Sequence, residues 1–120
     1  MLSEKRVSSL KQEKIMANKF ELTESARNDL KEIWLYLAEF SYNSADKTLK
    51  DLVKKFELLA ENPKLGRTHD KFIINLRSFP YKKYVIFYFP IENGVEIYRI
   101  FYSARNIEDR VKDFFEGLKP

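Results

Sequence analysis

The apolar pattern changes period at Gly66, from helical stripes to alternation, and that switch points to the α+β class. Before it, Ala26, Leu30, Ile33, Trp34 and Leu37 recur every three or four positions, which is one face of a helix. Thr23 offers a hydroxyl to the free N–H groups at the start of that helix, and Glu24 adds an anion to its first turn. Ser41, Asn43 and Ser44 interrupt the stripe. A second stripe follows in Ala45, Leu49, Leu52, Val53, Phe56, Leu59 and Ala60, ended by Asn62-Pro63 and Gly66. The two helices predict an antiparallel hairpin. After Gly66, β-branched and aromatic residues alternate over Phe72 to Phe79, Lys83 to Phe89 and Val95 to Tyr102. Pro80-Tyr81 and Glu92-Asn93-Gly94 are links short enough only for antiparallel neighbours.

Phe20-Glu21-Leu22 predicts a short strand ahead of the hairpin. Asn106 caps a predicted last helix carrying Ile107, Val111, Phe114 and Phe115. The expected order is β-α-α-β-β-β-α, with the hairpin packed on a curved four-stranded antiparallel sheet. Met1 to Lys19 is polar, with five basic residues against two acids, and reads as a short helix or a disordered arm. The expected division is an extension over residues 1–17 and one domain over 18–120.

Composition narrows the chemistry. In 120 residues, 44% are apolar and 15% aromatic, a composition that buries a core. There is no cysteine and one histidine, which excludes disulfides and a catalytic thiol and argues against a transition-metal centre. No cofactor is suggested. The apolar run around Val85 to Phe89 falls far short of the ~20 residues that cross a bilayer. A cytoplasmic protein without membrane contact is expected.

The net charge of +4 is unevenly spread. Between Lys64 and Lys83, six basic residues (Lys64, Arg67, Lys71, Arg77, Lys82 and Lys83) face Asp70 alone, interleaved with Phe72, Phe79 and Tyr81. Such a patch suits a nucleic acid or an acidic partner; it is equally the composition of a solvated loop with lysines on an edge strand. Arg77 and Arg99 interrupt apolar strands, where each needs a partner or water. An ion pair to Glu96 or to a helical carboxylate accounts for Arg99; for Arg77 a structural and a functional role weigh equally. Arg105, beside the expected last helix, is the best single candidate for an acidic ligand. His69 lies alone between Thr68 and Asp70, a weak candidate base. No glycine-rich phosphate loop, nucleophile elbow or paired carboxylates occur.

Four pieces in order resemble the RelE/ParE superfamily of type II toxin–antitoxin toxins. These are Ala26-Arg27-Asn28-Asp29-Leu30 through Ile33; Phe56 through Leu59 with Asn62-Pro63 and Gly66-Arg67; Leu76-Arg77-Ser78-Phe79 leading to Tyr84-Val85-Ile86-Phe87-Tyr88; and Glu96-Ile97-Tyr98-Arg99-Ile100 leading to Ala104-Arg105-Asn106-Ile107. The Asn-Pro with Gly-Arg segment and the Arg after Ser-Ala look more like the ParE branch, whose studied members inhibit DNA gyrase. Two departures stand out: Tyr102 and Asn106 occupy places where that branch often has His and Asp.

The resemblance implies a cognate antitoxin as partner, with Tyr36, Phe40, Tyr42 and Leu58 as candidate contacts, and leaves a homodimer open. It implies target binding through Arg67, Arg77, Lys82, Lys83, Arg99 and Arg105, held where a large anionic or acidic target can reach them. The alternatives are a RelE-like endoribonuclease acting on ribosome-bound message through Arg77, Lys83, Tyr88, Tyr102 and Arg105, or an inactive relative that only binds its antitoxin.

Overall fold

The computed structural model describes residues 19–102. They form β1 (Lys19–Leu22), α1 (Glu24–Ala38), α2 (Tyr42–Glu61), β2 (Arg67–Thr68), β3 (Arg77–Tyr81), β4 (Tyr84–Ile91) and β5 (Gly94–Tyr102). The leader, the expected last helix and Arg105 lie outside the described residues.

Both helices begin where their caps place them. The Thr23 hydroxyl accepts from the Ala26 N–H at 3.0 Å, and the Ser41 hydroxyl accepts from the Ser44 N–H at 3.2 Å. From α2, Leu52, Phe56, Leu59 and Ala60 are buried with Ala26 of α1 against Ile86, Tyr88, Val95, Ile97 and Ile100 of the sheet. Phe20, Leu30 and Ile33 pack around this cluster.

The sheet has five strands in the order β1-β5-β4-β3-β2, and three features correct the expectation of four antiparallel strands. First, β1 runs parallel to β5, from Lys19 beside Gly94 to Leu22 beside Ile97. No short turn ties β1 to a neighbour, so link length said nothing of its direction. Second, Arg67–Thr68 forms a two-residue edge strand on β3. Third, the strand expected over Phe72 to Phe79 begins only at Arg77. Residues 69–76 instead close into a loop, with the His69 N–H donating to the Leu76 carbonyl at 2.9 Å. Asn75 takes a positive φ of 72° there, and its N–H donates to Asp70 Oδ1 at 2.8 Å. The loop folds Phe72, Ile73 and Leu76 onto Val85 and Phe87, a second apolar cluster on the sheet face away from the helices. An apolar run that covers a sheet face therefore carries the same alternation as a strand within it.

Strand β5 also departs from strict alternation. Phe87 pairs with Arg99 but Tyr88 pairs with Ile97, which leaves Tyr98 as the extra residue of a bulge. The bulge hands the helix-facing side from Ile97 to Ile100 and moves Arg99 out of that row. Because β1 ends at Leu22, the later half of β5 has no strand on its outer side, and the start of α1 takes that place. The Thr23 N–H donates to the Ile97 carbonyl at 3.1 Å, and the Thr23 hydroxyl donates to the Tyr98 carbonyl at 2.8 Å. Asp29 then accepts from Arg99 Nε at 2.7 Å, from a terminal guanidinium nitrogen at 3.0 Å and from the Ile100 N–H at 2.9 Å. Gly94, with φ of 136°, lies so close to the Lys19 backbone that a side chain would collide with it.

Replacing Asp29 by Ala leaves a largely buried guanidinium and a buried N–H without their acceptor. Urea unfolding should show a loss of about 2–4 kcal/mol, and Asp29→Ala/Arg99→Ala together should cost less than the two single losses added.

Candidate functional site

The chain leaving α2 is fixed from the sheet below it. The Tyr88 hydroxyl donates to the Pro63 carbonyl at 2.8 Å and accepts from the Gly66 N–H at 2.8 Å. Arg77 donates to the Gly66 carbonyl at 2.7 Å and to the Lys64 carbonyl at 3.0 Å. A Cβ on Gly66 would stand 2.6 Å from that hydroxyl and 2.7 Å from the Ser78 carbonyl, so only glycine fits. Tyr88 is fully buried, and burial pushes its phenol up, opposed by the Gly66 N–H and the Arg77 charge. The position suggested for Tyr88 in proton transfer is thus inside the core, and Arg77 spends donors on the backbone.

Beside this exit lies His69, buried at 4% exposure, with Nε2 2.7 Å from the Ser78 hydroxyl. Desolvation first, then the Arg67 charge, lower its pKa from the ordinary 6.5. His69 lies between polar neighbours in sequence, yet the structure places it under the loop, against Phe87 at 6.0 Å between ring centres.

The remaining cations lie elsewhere. Lys82 and Lys83 form the two-residue turn between β3 and β4, with Lys82 at a φ of 54°. Both are exposed. Five residues of extended chain separate Arg77 from Lys82, roughly 16 Å. Arg99 is turned to Asp29, and that hydrogen bond raises its pKa against the opposing desolvation. Its guanidinium also lies 4.7 Å from the Phe101 ring centre. The helical carboxylate expected as its structural partner is therefore Asp29, which no motif flagged as such. A signal existed: Asp29 sits three residues after Ala26 and four before Ile33, on the apolar stripe of α1.

The expectation of one cluster of accessible cations is corrected. Arg67 and Arg77 sit at one end of β3, Lys82 and Lys83 at the other, and Arg99 is held at the outer side of β5. Near Lys83, the end of β5 opens a cavity of about 500 Å³ lined by Asp29, Glu32, Tyr36, Tyr84, Arg99 and Tyr102 among others. Tyr84 is buried and its phenol is pushed up by desolvation, whereas Tyr102 is 59% exposed, with the two rings edge to face at 5.5 Å.

Of the four apolar contact candidates, Tyr36 and Phe40 meet edge to face at 5.4 Å, with exposures of 61% and 72%. Tyr42 stacks on Trp34 at the tip of the hairpin. Leu58 is four turns further along α2 and does not join them.

This topology and these motifs correspond to a known family. The family described as ParE toxin of type II toxin-antitoxin system, parDE, matches residues 20–107. The chain belongs to the ParE toxin family. Among solved structures, a chain of the chromosomal ParDE TA system from P. aeruginosa shares the fold with a TM-score of 0.61. The identity is 20%, over 75% of this chain and 99% of that one. No curated protein matches. ParE membership rests on the match over residues 20–107, and it survives the separation of the cations.

Two measurements check the polar groups. Tyr88→Phe removes the acceptor of the buried Gly66 N–H and the donor to Pro63, and should cost about 1–3 kcal/mol in urea unfolding. His69 holds a depressed pKa when folded and the ordinary 6.5 when unfolded, so the unfolded chain binds the proton first. Its contribution is complete above pH 6.5 and lost as pH falls from there through the folded value. His69→Gln should flatten thermal stability between pH 5 and 7 relative to the parent (about the range of histidine titration).

Proposed function

We propose that this ParE-family chain is a growth-arresting toxin that acts by binding DNA gyrase and is neutralised by a cognate antitoxin. The observation that carries the binding reading over RNA cleavage is the burial of Tyr88. With its hydroxyl committed to Pro63 and Gly66, and Arg77 committed to Lys64 and Gly66, two of the five residues of the ribonuclease reading hold up the fold. His69, the one histidine, is also enclosed. A binding mode needs accessible charge alone, and the exposed Lys82-Lys83 turn supports it. The aromatic surface of Tyr36, Phe40 and Tyr42 supports a protein partner, since large exposed rings favour such contacts.

The purified protein should inhibit gyrase supercoiling and accumulate cleaved DNA. Lys82→Ala/Lys83→Ala should raise the inhibitory concentration about tenfold with an unchanged melting temperature. No effect on gyrase at stoichiometric excess, together with cut message on ribosomes, would overturn the proposal in favour of the ribonuclease.

A further inference from the structure

The cations on the outer flank of α2 were assigned no role by sequence, and they converge with the β3–β4 turn. Lys47, Asp51 and Lys55 are spaced four residues apart, so they form one row along the helix. That row meets Tyr81, the last residue of β3. The Tyr81 hydroxyl donates to Asp51 Oδ2 at 2.8 Å, and Lys47 Nζ lies 3.4 Å from the same oxygen. The ammonium of Lys55 is 5.5 Å from the Tyr81 ring centre, and that of Lys82 is 5.4 Å from it. Three ammonium groups thus gather around one tyrosine whose orientation is fixed by a carboxylate. The local charge is two positive, and the sole acid is already engaged: the Tyr81 hydrogen bond, opposed by desolvation, and then Lys47 hold Asp51 below the usual carboxylate range.

We infer that Lys47, Lys55 and Lys82 around Tyr81 form a contact site for the phosphodiester backbone of nucleic acid. The spacing selects this ligand over an acidic protein. The row from Lys47 to Lys55 spans about 12 Å on a rigid helix, a line of charge that tracks a polyanion and gains from counterion release. Each lysine meets a phosphate as a point charge. An ammonium already held at the Tyr81 face has less side-chain entropy left to lose on contact. The site shares Lys82 with the gyrase proposal but is tested apart from it, without gyrase and through Lys47 and Lys55.

The test is fluorescence anisotropy of a short labelled duplex DNA titrated with the full chain at several salt concentrations, without gyrase. Binding should weaken with salt, and the slope of log K against log salt should fall by about 0.9 for each of Lys47→Gln and Lys55→Gln. Lys31→Gln, on α1, should leave the slope unchanged. Asp51→Asn should act oppositely and tighten binding, because it removes the competing anion and releases Lys47. A merely structural role for this cluster would make all the Asp51 and lysine variants change melting temperature in parallel with binding. The inference is overturned if the duplex does not bind, if the lysine variants keep the parent slope, or if polyglutamate competes as well as unlabelled DNA. Any of these results leaves gyrase inhibition to be judged by its own assay.

Discussion

One carboxylate fastens the helical layer to the sheet. Asp29 receives three hydrogen bonds from β5, two from Arg99 and one from the backbone of Ile100, at the point where β1 has already ended. Without it, the outer side of β5 would present an unpaired N–H, and Arg99 would be a partly buried charge with a weakened set of partners. Thr23 adds two further bonds to the same strand. The parallel course of β1 makes this possible, since it delivers the first turn of α1 alongside the bulge at Tyr98.

The two helices of the hairpin were legible because their apolar stripes coincide with the inward faces and Thr23 caps α1. Leu52, Phe56 and Leu59 are all inside. The sheet was legible where tight turns set direction, and not elsewhere. Nothing in Phe20-Glu21-Leu22 tells parallel from antiparallel, and the alternation over residues 72–76 belongs to a loop lying on the sheet. The bulge was hidden because Val95, Ile97, Arg99 and Phe101 satisfy a period of two as written. Among candidate site residues, type and approximate place were readable, while commitment to the fold was not. Tyr88 and Arg77 look like functional polar groups in an apolar strand until the exit from α2 is seen resting on them.

Membership of the ParE toxin family follows from the family match over residues 20–107. The arrangement divides labour between the ends of β3. At its start, Arg77, Tyr88 and Gly66 build a rigid corner in which polar groups are consumed. At its end, the turn carries exposed lysines, free of backbone duty, beside the cavity closed by Tyr84 and Tyr102.

The latch at Asp29 has a consequence for the order of assembly. It joins residues 70 positions apart, and the Thr23 bond to Tyr98 spans 75. On a ribosome, the hairpin emerges early but has nothing to close against until β5 has been made. Contacts of such long sequence separation slow folding, and they make it nearly all-or-none late in synthesis. A nascent chain therefore lacks the finished surface until β5 has been made, and one interrupted before then never acquires it.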